Sequence, residues 1–155
     1  MKIFKFGGAS VKDADAVRNV ESILQKCLVS PAVVVVSAMG KTTNKLEQVF
    51  STLVSDGFDK SLEELNEIVV AHQKVIDALS IELDLRELFV TALKNSSQLD
   101  DINAAYDELV ASGEDASTKI LFAYLDSNSW DVEWRDVRDI IETDERHNSA
   151  RVDES

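Results

Sequence analysis

The chain's only proline, Pro31, stands immediately before Ala32-Val33-Val34-Val35-Val36, and this unbroken apolar run limits the fold more than any other stretch. β-Branched residues suit a strand, and a strand with no polar alternation is one covered on both faces, as in the centre of a parallel α/β sheet. Upstream, Ile3, Phe4 and Phe6 mark a second short strand, which breaks at Gly7 and Gly8. Ser10 is of the N-cap type, and Val11, Val17, Val20, Ile23, Leu24 and Cys27 then recur near helical spacing, so a helix is expected over Val11 to Leu28. Strand, glycine turn, helix and buried strand make a βαβ unit, with a right-handed crossover.

The valine run ends in SAMGKTTN, Ser37 to Asn44, a second small and polar turn ahead of a helix led by Leu46, Val49, Phe50 and Leu53. Both turns therefore lie at the carboxyl edge of the sheet, where open α/β sheets hold ligands. From about residue 58 to 112 the pattern is helical only, divided by Asn95-Ser96-Ser97 and closed by a break at Ser112-Gly113. This reads as an all-helical insertion on an α/β sheet flanked by helices. A further helix is expected over Asp115 to Leu125 and a third parallel strand over Trp130 to Trp134, with the two tryptophans on one side of it packing into the core. The closing RHNSARVDES adds no element, so the sheet looks incomplete at its edge.

Charge narrows the partners. Sixteen Lys and Arg against 29 Asp and Glu give a net charge of −13, which disfavours nucleic acid and anionic lipid. No apolar stretch reaches the roughly 18 residues of a membrane span, and no signal-peptide pattern precedes the first strand, so a cytoplasmic protein is expected. Cys27 has no disulfide partner in the chain and is read as a buried structural thiol; His72 and His147 lack ligand-like neighbours and are read as surface or boundary residues, with no metal assigned.

The two turns carry the chemistry. In KFGG, the Lys5 ammonium, the backbone N–H groups of Gly7 and Gly8 and the following helix N-terminus converge as a phosphate cradle would require. Such a cradle also steadies charge on a phosphoryl group in transfer. The rival reading is a tight structural turn, since neither GxGxxG nor GxxxxGK[ST] spacing is present. Ser37, Gly40, Lys41, Thr42, Thr43 and Asn44 offer hydroxyls and amides to a small polar substrate; the rival is a helix cap at Thr42 or Thr43 with Lys41 in solvent.

Taken in order, these segments resemble the aspartokinases of the amino acid kinase superfamily. KFGGAS, Lys5 to Ser10, is similar to the family's KFGGTS, with Ala9 where threonine is usual; VVVVSAMGKTTN, Val33 to Asn44, is similar to its strand and SA-x-G-x-TN loop. SGEDAST, Ser112 to Thr118, resembles SGE-x-x-S, and DVRDIIETDERHNSARVD, Asp136 to Asp153, resembles the D-x-R…TD…A…D region. The resemblance implies transfer of the ATP γ-phosphoryl group to the side-chain carboxylate of L-aspartate, with Mg2+, to give 4-phospho-L-aspartate for lysine, methionine and threonine synthesis. It implies that Lys5, Gly7, Gly8 and Ser10 face the phosphates, the first three as catalytic groups. Ser37, Thr43 and Glu114 would meet aspartate, with Glu114 opposite its amino group. A first-turn acid favoured by a helix dipole is the rival reading of Glu114.

The resemblance also implies that residues 1–155 are the N-terminal part of one catalytic domain, inactive alone, without the half that mainly binds ATP and Mg2+ and without ACT regulatory domains. Exposed sheet surface would then favour a homo-oligomer or self-association. Asp115 sets a second carboxylate beside Glu114. Two other readings stand: an amino acid kinase with another acceptor, and a non-catalytic binding or interaction module.

Overall fold

The computed structural model describes residues 1–27, 30–144, 146–147 and 150–152. Strand β1 (Lys2–Phe6) leads through a 3-10 turn (Gly8–Val11) into helix α1 (Ala14–Cys27), and the chain returns in strand β2 (Ala32–Val36). The strands pair in parallel from Lys2 opposite Ala32 to Phe6 opposite Val36, which bears out the βαβ unit. Four helices follow, α2 (Thr42–Asp56), α3 (Phe58–Leu79), α4 (Arg86–Ser96) and α5 (Ile102–Ser127).

Side chains alternate across a strand, so this register divides the sheet into two faces. Phe6 and Val36 are buried and Phe4 and Val34 pack against the core, whereas Ile3 is 66% exposed and Val33 and Val35 are 43% and 44% exposed. Among the described residues the continuous valine run therefore has helices over one face only. Lys5, paired with Val35, lies on the open face with them.

Helix packing supplies most of the core: Val17, Val20 and Leu24 of α1, Leu46 and Val49 of α2, Leu65, Ile68 and Ile76 of α3, Phe89 and Leu93 of α4, and Leu109 and Ile120 of α5 are all nearly inaccessible. Their three- and four-residue spacings make one apolar stripe per helix.

Several expectations are corrected. The third strand is absent: Trp130 to Trp134 keeps alternating partial burial without strand pairing, so the sheet has two strands among the described residues. Its tryptophans are drawn to helices instead. Trp130 Nε1 donates to Glu21 on α1 at 3.0 Å, and Trp134 Nε1 donates to the Thr118 hydroxyl on α5 at 3.1 Å. The Lys119 ammonium covers the Trp134 ring at 3.9 Å, a cation–π contact. Ser10 is not the cap of α1; Asp13 Oδ1 accepts the Ala16 N–H at 2.8 Å in that role. Leu28, the expected last residue of α1, lies outside the described residues. Cys27 is exposed, because it ends α1 beyond the reach of the core, where its carbonyl accepts from the Lys2 ammonium.

His72 is likewise not a surface residue. It is 3% exposed on α3, with its ring centroid 5.1 Å from that of Phe89. Because a carbonyl only accepts, the 2.8 Å contact with the Ile68 oxygen fixes the proton on Nδ1, while buried Nε2 has no partner among the described residues. Burial pushes the imidazole pKa below its ordinary 6.5, with the Lys45 charge adding to that and the Ile68 contact opposing it. The unfolded chain therefore takes up a proton more readily than the folded one. Stability is full above the unfolded pKa near 6.5 and falls as pH drops from there toward the lower folded value, by up to about 1.4 kcal/mol per pH unit. Urea midpoints measured from pH 7.5 to 5 should show this slope, and His72→Phe should flatten it. The lowered carboxylates Asp56, Asp101 and Asp136 act in a separate, more acidic window. His147 is exposed as expected, but its Nδ1 lies 2.9 Å from Asp107.

Candidate functional site

Because β1 and β2 run in the same direction, the turns after them meet at one rim, and direct backbone bonds join them. The Ser37 N–H donates to the Phe6 carbonyl at 3.1 Å and the Gly40 N–H donates to the Gly8 carbonyl at 3.0 Å. The approach at Gly8 is closer than any side chain permits: a Cβ there would stand 2.5 Å from the Ala38 oxygen and 3.1 Å from that of Gly40. Gly7 differs. It is extended, at φ −74° and ψ 168°, and a Cβ on it would meet nothing within 4 Å. The fold thus requires glycine at position 8 and makes no steric demand for it at position 7, where the open side of the turn faces solvent.

Lys5 comes one residue before the end of β1, exposed at this same rim end of the sheet and without an ion pair among the described residues. Ala9 and Ser10 are exposed in the 3-10 turn, which is closed by the Ser10 N–H donating to the Gly7 carbonyl at 2.8 Å.

The second turn is gripped from below by α5. Glu114 Oε1 accepts the Ala38 N–H at 3.2 Å, and the Ser117 hydroxyl donates to the Ser37 carbonyl at 2.8 Å. Gly113 lets the helix press in: a Cβ there would stand 3.1 Å from both Ala38 Cβ and Leu46 Cδ1. The expected break at Ser112-Gly113 is consequently no break. α5 is continuous for 26 residues, because glycine's cost in a helix, about 1 kcal/mol relative to alanine, is set against this packing. Glu114 therefore sits mid-helix, not in a first turn, and the dipole reading of it falls away.

Thr43 is half-buried in the first turn of α2, while Thr42 is 6% exposed. Neither caps that helix. Its N-cap is Lys41, which makes no side-chain cap bond.

The structure thus brings Gly7, Gly8, Ser37, Thr43 and Glu114 to one rim, with Lys5 leading into it. Three contributors, Gly113, Ser117 and the backbone of Ala38, lie inside segments that carry the resemblance but have no role of their own in the sequence reading. A signal for the first two existed in the four-residue spacing of small residues on one helix face, which permits close approach of a neighbouring backbone. Asp115 does not add a free charge beside Glu114. The Arg138 guanidinium holds it at 2.8 Å and grips Asp136 as well, keeping the Asp136 carboxyl below the usual range.

The groups at the first turn that could hold a phosphate are the backbone N–H groups of Gly7 and Gly8 and the Lys5 ammonium. For magnesium the described residues offer no group of three or more His, Cys, Asp or Glu side chains able to hold an ion. Among the described residues no helix is long and apolar enough to cross a membrane.

Known proteins share this arrangement. The profile of the amino acid kinase family matches residues 1–154. Aspartokinase 2, chloroplastic, of Arabidopsis thaliana is 34% identical over 130 residues, covering 79% of this chain and 24% of its own length. Lysine-sensitive aspartokinase 3 of Escherichia coli is 28% identical over 155 residues, covering 97% of this chain and 34% of its own. The crystal structure of E. coli aspartokinase III in complex with aspartate and ADP superposes with a TM-score of 0.81 at 28% identity, covering 99% of this chain and 35% of that one. The chain spans a quarter to about a third of the length of these relatives. With a family profile matched almost end to end and the parallel sheet and rim turns in place, the chain belongs to the amino acid kinase family.

Proposed function

We propose that this chain forms the phosphate- and aspartate-facing rim of an aspartate kinase, which transfers the γ-phosphoryl group of ATP to the side-chain carboxylate of L-aspartate. The observation that carries this reading is the joining of the two turns by Gly40 to Gly8, with Glu114 fixed under the second turn at Ala38. Lys5 and the N–H groups of Gly7 and Gly8 neutralise the transferring phosphoryl group, with Ser10 beside them. Charge stabilisation by pre-aimed donors is the main service a protein gives this reaction. Ser37 and Thr43 hold the acceptor, and the Glu114 carboxylate faces its ammonium. The aspartate side-chain carboxylate attacks phosphorus, the bond to the ADP oxygen breaks, and 4-phospho-L-aspartate leaves. Magnesium, when bound with the nucleotide, would supply further neutralisation of phosphate charge.

A kinase with another acceptor is the rival within the family, and a binding module without catalysis is the rival outside it. The similar E. coli enzyme described with aspartate and ADP favours the first-stated reading.

The test is an NMR titration of the 155-residue chain with L-aspartate, inorganic phosphate and a neutral amino acid. Amide shifts under L-aspartate confined to Ser37–Asn44 and to Gly113–Ser117, and under phosphate to Gly7–Ser10, are the expected result. Shifts with none of these ligands would leave only the interaction module. Coupled ADP release by this chain alone is expected to stay at background, since the aspartokinases it resembles are about three times longer. Full turnover would contradict that division of labour.

A further inference from the structure

Four hydroxyls on α5 bond back to carbonyls three residues earlier: Ser112 to Leu109, Ser117 to Glu114, Thr118 to Asp115 and Ser127 to Tyr124. Such back-bonding is the ordinary fate of a helical serine or threonine. Among these four, Ser117 alone also donates to another element, at 2.8 Å from the Ser37 carbonyl with the Glu114 carbonyl at 3.0 Å sharing the proton. It is 1% exposed, so no water replaces either contact cheaply. One buried hydroxyl thus ties together the backbones of Ser37 and Glu114, the second of which would face the amino acid's ammonium while the first helps to hold the molecule. Gly113, one turn earlier, holds the same two segments in contact.

Resting on the aspartate-kinase reading, we infer that Ser117 is a positioning residue that sets the span between Ser37 and Glu114 and thereby selects a four-carbon over a five-carbon acidic amino acid. It touches no substrate itself. Without the tie the second turn is held to α5 by the Glu114–Ala38 bond alone among these side-chain links, and the span is free to widen.

The experiment compares L-aspartate, L-glutamate and inorganic phosphate binding by NMR titration for the wild-type chain and for Ser117→Ala, Ser117→Cys and Ser112→Ala. Ser117→Cys keeps the shape and only a weak donor, which guards against a folding failure in the alanine variant. Ser112→Ala removes an equally buried hydroxyl that bonds only within its helix. Ser117→Ala is expected to weaken L-aspartate about tenfold, the worth of one buried hydrogen bond, and to narrow the preference over L-glutamate, with Ser117→Cys intermediate. Phosphate binding and the behaviour of Ser112→Ala should stay as in wild type. A merely structural serine would weaken phosphate and both amino acids alike, leaving the preference unchanged, and that result overturns the inference. If both Ser117 variants keep wild-type affinity and preference, the positioning role is wrong while the kinase reading stands. Failure of the wild-type chain to bind L-aspartate removes the kinase reading and this inference together.

Discussion

Gly8→Ala is expected to lower the unfolding free energy by about 3 kcal/mol, the upper part of the usual range for forcing extra volume into a packed site. Its neighbour should behave oppositely. At Gly8 the new methyl would lie 2.5 Å from a backbone oxygen, which cannot swing aside as the end of a side chain would. Relief requires the first turn to part from the second, and that breaks the bond from Gly40 to the Gly8 carbonyl. At Gly7 the methyl meets nothing, and the backbone angles already suit any residue. Gly7→Ala should therefore leave stability unchanged or raise it by up to about 1 kcal/mol through the stiffer unfolded chain. Urea midpoints at constant m-value separate the two. The same pair probes the phosphate reading. A methyl on Gly7 projects into the open side of the turn, so this well-folded variant should lose phosphate binding. Retention of wild-type phosphate affinity by Gly7→Ala would mean that position 7 is not approached by an anion.

The contrast between these glycines was hidden in the sequence, where Gly7 and Gly8 are adjacent and identical. What the sequence did reveal was the path of the chain. Pro31 and the valine run predict β2, the Ile3, Phe4 and Phe6 pattern predicts β1, and the parallel pairing between them follows from the helix that must connect them. From that pairing alone the two turns had to share a rim. Which atom of one turn touches which atom of the other depends on how far α1 and α5 push the strands, and no local pattern records that.

Where the reading of the chain departed from the structure, local signals were outweighed by partners distant in sequence. Trp130 to Trp134 alternates as a strand does, yet a strand exists only with a hydrogen-bonding neighbour, and here indole N–H groups bind Glu21 and Thr118 on helices instead. Glu21 also receives the Tyr124 hydroxyl at 2.8 Å and the Asn128 amide at 3.1 Å. That convergence joins residues more than a hundred positions apart, so it leaves no periodicity to read. The valine run signals burial on both faces, while Ile3, Val33 and Val35 remain open among the described residues. His72 falls at a core position of α3 by spacing from Leu65, Ile68 and Ile76, a stripe that a polar residue type disguises.

Glu114→Gln should weaken L-aspartate binding by about 1.5 to 3 kcal/mol, roughly ten- to a hundredfold, which is the range for a hydrogen bond to a charged group. The substitution is a narrow one. Glutamine keeps an oxygen to accept the Ala38 N–H, so the second turn should hold its place and the urea midpoint should shift little. What goes is the negative charge that, on the proposed reading, faces the ligand's ammonium. Glu114→Ala removes both, and should lose binding together with part of the grip on the turn. The discriminating ligand is succinate, which has both carboxylates of aspartate and no amino group. If Glu114 reads the ammonium, Glu114→Gln should bind succinate as well as wild type does, or better, because a repulsive charge has been taken away. If Glu114 instead serves only to hold Ala38, the glutamine variant should bind L-aspartate as wild type does. Equal weakening of aspartate and succinate would place the carboxylate's effect on the shape of the turn and remove it from the recognition of the amino group.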